Sequence, residues 1–176
     1  MKRSGIYIIS FVFVLTLFLG YHLWCCKVTT VILVRHAEKE VTPPNDPPLS
    51  AEGNERAKSL SHVVEDAGID AIFATEYQRT QATVRPAADN LGLSIIIINS
   101  NNTEVLINTI YSDYKGKEIL IAGHSNTVPE IMEALGIFNP PIITENAYDN
   151  LFIVHKHHFI LRRTRMLHLK YGAPSQ

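Results

Sequence analysis

Four side chains, widely separated along the chain, share a chemistry. Arg35 and His36 follow directly on the apolar run "TVILV". Arg79 stands in "TEYQRT", just beyond "AIFA", and His124 stands in "GHS", just beyond "EILIA". Each sits where an apolar segment ends, a place that usually holds Gly, Asn, Asp or Pro to make a turn. Cations and imidazoles cost free energy to desolvate unless something pairs with them. Two guanidiniums and two imidazoles, with no carboxylate fixed among them, describe a hole for an anion. Arginine suits phosphate because its planar fork donates two parallel hydrogen bonds and stays charged. A neutral imidazole is also a competent nucleophile near neutral pH. Together the four could hold a phosphoryl group supplied by a substrate.

For these residues to meet, the segments before them must be parallel strands of one sheet, because open α/β sheets bind ligands beyond the carboxyl ends of their strands. The rest of the chain fits that demand. Strands are expected over residues 30–34, 71–74, 94–98 and 117–123, alternating with helices. "VTPPNDPPLS" carries four prolines in ten residues and must be a loop. Ser50 is a natural N-cap for a helix reaching about residue 67, closed by Gly68. A second helix starts near Gln78, bends or restarts at Pro86 and stops at Gly92. A third runs over residues 103–114, and the last opens at "HSNT" with Pro129 in its first turn and ends at Gly136. "NLFIVHKHHFILRRTRMLHLK" reads as an antiparallel hairpin turning at residues 156–158. The expected fold is a three-layer α/β/α sandwich with a mostly parallel central sheet and a C-terminal antiparallel hairpin at its edge.

Composition limits the partners. A formal net charge of -1 over 176 residues argues against nucleic acid, whose binders usually carry a clear basic excess. Cys25 and Cys26 are adjacent and precede the globular part, so no disulfide or cysteine metal site can be drawn within it. Residues 6–26 hold no formal charge, and about 20 residues suffice for a helix to cross a bilayer. An uncleaved anchor competes here with a cleaved secretory signal, but no A-x-A pattern stands near Gly20. In both cases Lys2 and Arg3 hold the amino end in the cytoplasm and the domain is delivered across the membrane. The expected organisation is an anchor or signal over residues 1–27, a catalytic domain over 28–170 and a disordered tail over 171–176.

"RHAEK" after a first strand, "RTQAT" after a second and "GHS" after a later one resemble the histidine phosphatase superfamily, which has the phosphoglycerate-mutase-like fold. The likeness spans nearly the whole chain from residue 30 to about 164. It implies that His36 is the nucleophile, that Arg35 and Arg79 hold the phosphoryl oxygens, and that His124 is the second pocket histidine. It implies no metal or other cofactor, and a phosphomonoesterase of the histidine acid phosphatase type. One histidine neutral and the other protonated would give a bell-shaped pH profile. The sequence departs from the family in its proton donor. An "L-x-E" context is missing, and Asp46, Glu104 and Glu145 remain as alternatives. Substrates expected outside the cytoplasm are phosphorylated small molecules or envelope components. Protein phosphohistidine and an inactive phosphate-binding module are the other readings.

Other residues have plainer explanations. Glu38 is expected in solvent or paired with Lys39 or Lys58, and Arg79 could pair with Glu76. Thr80 reads as structural, and Ser125, Asn126 and Thr127 as helix caps. His155, His157 and His158 belong to an exposed turn rather than a metal site. The basic run Arg162, Arg163, Arg165, His168 and Lys170 guards an edge strand or meets anionic headgroups.

Overall fold

The computed structural model describes residues 3–25, 27–158 and 163–175, and in the first helix the side chains of residues 7 and 9–21. After α1 (Arg3–Cys25) come β1 (Val28–Arg35), α2 (Ala51–Val64), β2 (Ala71–Ala74), α3 (Gln78–Leu91) and β3 (Ile95–Ile97). Then follow α4 (Thr103–Asp113), β4 (Glu118–Gly123), α5 (Thr127–Ala134), β5 (Asn150–His157) and β6 (Thr164–Lys170). The six strands form one sheet in the order β3-β2-β4-β1-β5-β6. β1 to β4 are mutually parallel where they pair, and β5 and β6 run antiparallel.

The layers follow from strand alternation, which points successive side chains to opposite faces. Val31, Leu33, Phe73, Ile119 and Ile121 pack with Leu106 and Ile110 of α4 and Val128 and Met132 of α5. Their neighbours Ile32, Val34, Ile72, Leu120 and Ala122 pack with Leu60 and Val64 of α2 and Val84 and Ala88 of α3. Both faces of β1 and β4 are therefore covered, which is why "VILV" and "ILIA" read as unbroken apolar runs. The expected three-layer sandwich is the observed one.

Local signals operate as their chemistry suggests. Ser50 caps α2 by accepting a hydrogen bond from Gly53 N. Gly92 closes α3 in the left-handed conformation, with φ 66°. Pro86 lies within an unbroken α3 instead of restarting it. The strand β5 continues through His157, so residues 156–157 belong to the strand and the hairpin connection comes later. Arg162 falls outside the described residues.

One terminal expectation changes, and the other falls partly outside the described residues. Among the described residues no helix is long and apolar enough to cross a membrane. The ends of the expected span over residues 6–26 lie outside those whose side chains are described. In place of a trailing tail over residues 171–176, Tyr171 is buried and its carbonyl accepts from Arg56 Nη1 at 2.8 Å. Ser175 Oγ accepts from the backbone N–H of both Tyr148 and Asp149, at 2.8 and 2.9 Å. Gln176 lies outside the described residues.

Candidate active site

Register brings the distant residues together. Val34 and Ala74 both stand opposite Ala122, so β1, β2 and β4 end side by side. Whatever follows these positions must share one edge of the sheet. Arg35 still pairs with Gly123, and His36 N extends the ladder to Gly123 O at 2.9 Å. The chain must then turn sharply after Gly123. A Cβ there would lie 2.7 Å from Thr127 Oγ1, the atom that accepts the His124 N–H. Glycine is required for that close turn. The imidazoles of His36 and His124 meet edge to face, with centroids 5.4 Å apart.

His36 is 3% exposed. Its Nδ1 lies 2.8 Å from Ala37 O, a carbonyl that can only accept, so Nδ1 carries the proton. The lone pair is then on Nε2. Burial, reinforced by the charges of Arg35, His124 and Arg79, holds its pKa down at about 3, against the hydrogen bond to Ala37 O, which raises it. His124 contacts Thr75 Oγ1 through Nε2 at 3.0 Å, and Thr75 in turn bonds Thr80 Oγ1 at 2.8 Å. Burial first and Arg79 second lower the His124 pKa to about 4, although Glu76 and Asp46 pull it upward. Both imidazoles are neutral at pH 7. Burial and two nearby guanidiniums outweigh the carboxylates at His124, so the protonation expected of it in catalysis requires an anion beside the ring.

Arg35 is 1% exposed and stacks on the Tyr148 ring at 4.3 Å. Its Nη1 donates to Thr144 O and Glu145 O, and its Nη2 to Glu145 Oε2 at 2.9 Å. Arg79 stacks on Tyr77 at 4.2 Å and reaches Asp46 Oδ1 at 3.4 Å, so its carboxylate partner is Asp46 rather than Glu76. The Nε–H groups of both arginines are buried without a hydrogen-bond partner among the described residues. Buried donors are ordinarily satisfied, so two orphans beside one cleft mark a place for an acceptor. Arg35, His36, Arg79 and His124 all line this cleft, of about 330 Å³, with Lys39, Tyr77, Ser125 and Glu145.

The three carboxylates fare differently. Glu145 lines the cleft, but the Ser125 hydrogen bond and then the Arg35 charge hold its carboxyl below the usual range. Asp46 stands behind Arg79, accepting from Gln78 N at 3.1 Å and bonded through its carbonyl to the Gln78 side chain. Glu104 is an exposed first-turn residue of α4, whose N-cap is Asn102. Neither Asp46 nor Glu104 lines the cleft.

Several residues take roles that short motifs do not reveal. Ser125 reaches across to Glu145, and Thr127 bonds back to His124 N, so neither acts as the side-chain cap of α5. Glu38 is gripped by Arg56 Nε and Nη2, the latter at 2.6 Å, and not by a lysine. Tyr77 and Tyr148, which back the two arginines, carried no motif signal. A larger groove of about 640 Å³ is lined by Tyr148 among others, but its Glu38 and Arg56 neutralise each other. Among the described residues no cluster could hold a metal ion.

Strand-end arginines and histidines gathered at one edge of a three-layer α/β fold make a cleft rich in donors suited to an anion. The family described as "Histidine phosphatase superfamily (branch 1)" matches residues 31–101, which carry "RHAEK" and "RTQAT". A probable phosphoglycerate mutase GpmB from Enterobacter sp. (strain 638) is 37% identical over 73 residues. That match takes in 38% of this chain and spans only 34% of the relative. In fold, the chain is similar to a mycobacterial glucosyl-3-phosphoglycerate phosphatase (TM-score 0.67, 11% identity, 83% of this chain and 100% of that one). It is likewise similar to the protein histidine phosphatase SixA complexed with tungstate (TM-score 0.64, 15% identity, 80% and 96%).

Proposed function

We propose that this chain hydrolyses phosphomonoesters through a phosphohistidine on His36. One observation carries the reading: an imidazole with its proton committed to Ala37 O and its other nitrogen unprotonated, set beside two guanidiniums whose buried Nε–H groups have no partner among the described residues. In the first step the Nε2 lone pair of His36 forms a bond to phosphorus as the ester P–O bond breaks. The leaving oxygen takes a proton from water at the open side of the cleft. In the second step water attacks the phosphohistidine and breaks its P–N bond, releasing inorganic phosphate and neutral His36, and the proton this water loses neutralises the hydroxide left by the first step. Arg35 and Arg79 hold the equatorial oxygens, where charge builds in the transition state. A bound dianion draws the His124 pKa upward, so that His124 becomes the third cationic donor.

The carboxylates narrow the leaving group. With Glu145 held ionised and Asp46 behind Arg79, substrates whose leaving groups need no strong acid are preferred. Aryl phosphates meet that requirement, and so does the phosphorylated imidazole of another protein. The test is p-nitrophenyl phosphate hydrolysis by the full chain. Metal-independent turnover that His36→Ala abolishes supports the reading; equal and negligible rates for both proteins indicate a binding module instead.

The same proposal places the domain on a membrane tether with the cleft outside the cytoplasm. Its support is the uncharged run over residues 6–26 together with the exposed side chains Ile9, Phe11, Phe13, Leu17 and Leu19 of α1, apolar surface that is costly to leave in water. A reporter fused after Gln176 reads the topology. Activity on the cytoplasmic side, or full recovery of the chain in the soluble fraction, would overturn it.

A further inference from the structure

Glu145 stands apart among the cleft residues. Its side chain is 77% exposed, where water could satisfy it, yet both carboxylate oxygens are engaged. Oε2 accepts from Arg35 Nη2 at 2.9 Å and Oε1 from Ser125 Oγ at 2.8 Å. The backbone of the same loop supports this arrangement, because the carbonyls of Thr144 and Glu145 take both contacts of Arg35 Nη1, at 2.8 and 2.6 Å. What remains of the guanidinium for a guest is the side bearing Nε and Nη2. Those two nitrogens form the fork that grips a pair of anionic oxygens. Among the described residues Nε is the buried orphan, and Glu145 takes one of the two N–H groups of Nη2. Among the described residues Glu145 is also the only acid lining the cleft, where the charges of Arg35 and Lys39 act on it.

We infer that Glu145 is an internal competitor of the substrate: its carboxylate occupies donors of Arg35 and Ser125 that a phosphoryl group needs, and it must swing out for that group to bind. The inference rests on the proposed function only in taking a phosphoryl anion as the guest. Its effect falls on substrate and product alike. Weaker binding of inorganic phosphate keeps the product from blocking the cleft, and the returning carboxylate helps expel it. The exposed position of Glu145 lets the side chain leave for water at little cost, which a buried acid could not do.

Titration calorimetry of inorganic phosphate into the full chain tests this by comparing wild type with Glu145→Gln, which keeps the shape and removes the charge. The expected result is roughly tenfold tighter binding in the variant, the scale of one charge-assisted hydrogen bond no longer in competition. Unchanged or weaker binding overturns the inference. Weaker binding would make Glu145 a positioning residue for Arg35. Unchanged binding with a kcat loss confined to alkyl phosphates would make it the general acid. A wild-type crystal soaked in vanadate reads the same point without any variant. There the Glu145 carboxylate is expected beyond hydrogen-bond distance of Arg35, and an oxyanion bound with that contact intact overturns the idea. If phosphate binds tighter to the variant while neither protein hydrolyses phosphomonoesters, the competitor stands and the phosphatase reading falls. If neither protein binds phosphate, both fall.

Discussion

Imidazoles gather at both ends of β1, and their surroundings differ. At the carboxyl end, His36 and His124 are buried against two guanidiniums whose Nε–H groups lack partners among the described residues. At the amino end, His155 and His158 are paired off with threonines: Thr30 Oγ1 lies 3.2 Å from His155 Nδ1, and Thr29 Oγ1 lies 2.7 Å from His158 Nε2. A pocket of about 260 Å³ lies there too, lined by Tyr111, Lys115, Lys156, His157 and His158. Its cations are lysines at a strand end, without the planar forks that grip a tetrahedral anion. Histidine clusters alone do not define a site. Desolvated imidazole beside unsatisfied guanidinium does.

The sharpest break between the two ends is expected in turnover. His36→Ala should lower kcat by roughly 10⁴ or more, as removal of a nucleophile does, while His158→Ala should leave steady-state kinetics within about twofold. If both variants lost activity equally, the contrast would vanish. Next in size are the guanidiniums. Arg35→Ala and Arg79→Ala should each cost on the order of 10²–10³ in kcat/KM, measured with an aryl phosphate. Arg79→Lys should recover little of that loss, because an ammonium cannot supply two parallel donors.

The cleft histidines should also show in the acid stability of the fold. Their folded pKa values, about 3 and about 4, lie below the unfolded value of 6.5. Between pH 6.5 and about 4 the unfolded chain therefore binds protons that the folded chain does not. Stability is full above pH 6.5 and declines as pH falls, by roughly 1.4 kcal/mol per pH unit for each histidine. Urea unfolding at pH 7, 6 and 5 should show that slope, and a His36→Asn/His124→Asn variant should flatten it. An unchanged slope in the variant would mean that burial of these rings is not what holds them neutral.

A smaller effect is expected from the chain end. Ser175 fixes the Tyr148 and Asp149 amides, and Tyr148 is the ring beneath Arg35. Ser175→Ala should reduce kcat a few-fold and weaken phosphate binding alongside, with the urea midpoint almost unmoved. Loss of stability without loss of phosphate affinity would make the tail a clamp on the fold alone.

Much of this could be read from the chain before its coordinates. Apolar runs ending in "RH" and "GH" give both the strands and the groups beyond them, because burial on two faces leaves a run without alternation. Ser50 and Gly92 were legible because capping is local chemistry. The parts that were not legible depend on distant contacts. Glu38 and Arg56 meet across a loop, and Arg56 then reaches Tyr171, 115 residues away. Tyr148 acquires its place from Arg35, and Ser175 from Tyr148, neither of which leaves a mark in spacing. The neutral state of His124 was also hidden, since it depends on how deeply the ring is buried and how near Arg79 lies. Residue type cannot report that balance.

The most direct measurement is to quench the full chain in base during turnover of p-nitrophenyl phosphate and map the acid-labile phosphoryl group by mass spectrometry. The account predicts one phosphoryl group on the peptide bearing His36, absent from His36→Ala and longer-lived in Arg79→Ala. A phosphoryl group on His124, or robust turnover with no phosphorylated residue at any time, would contradict it.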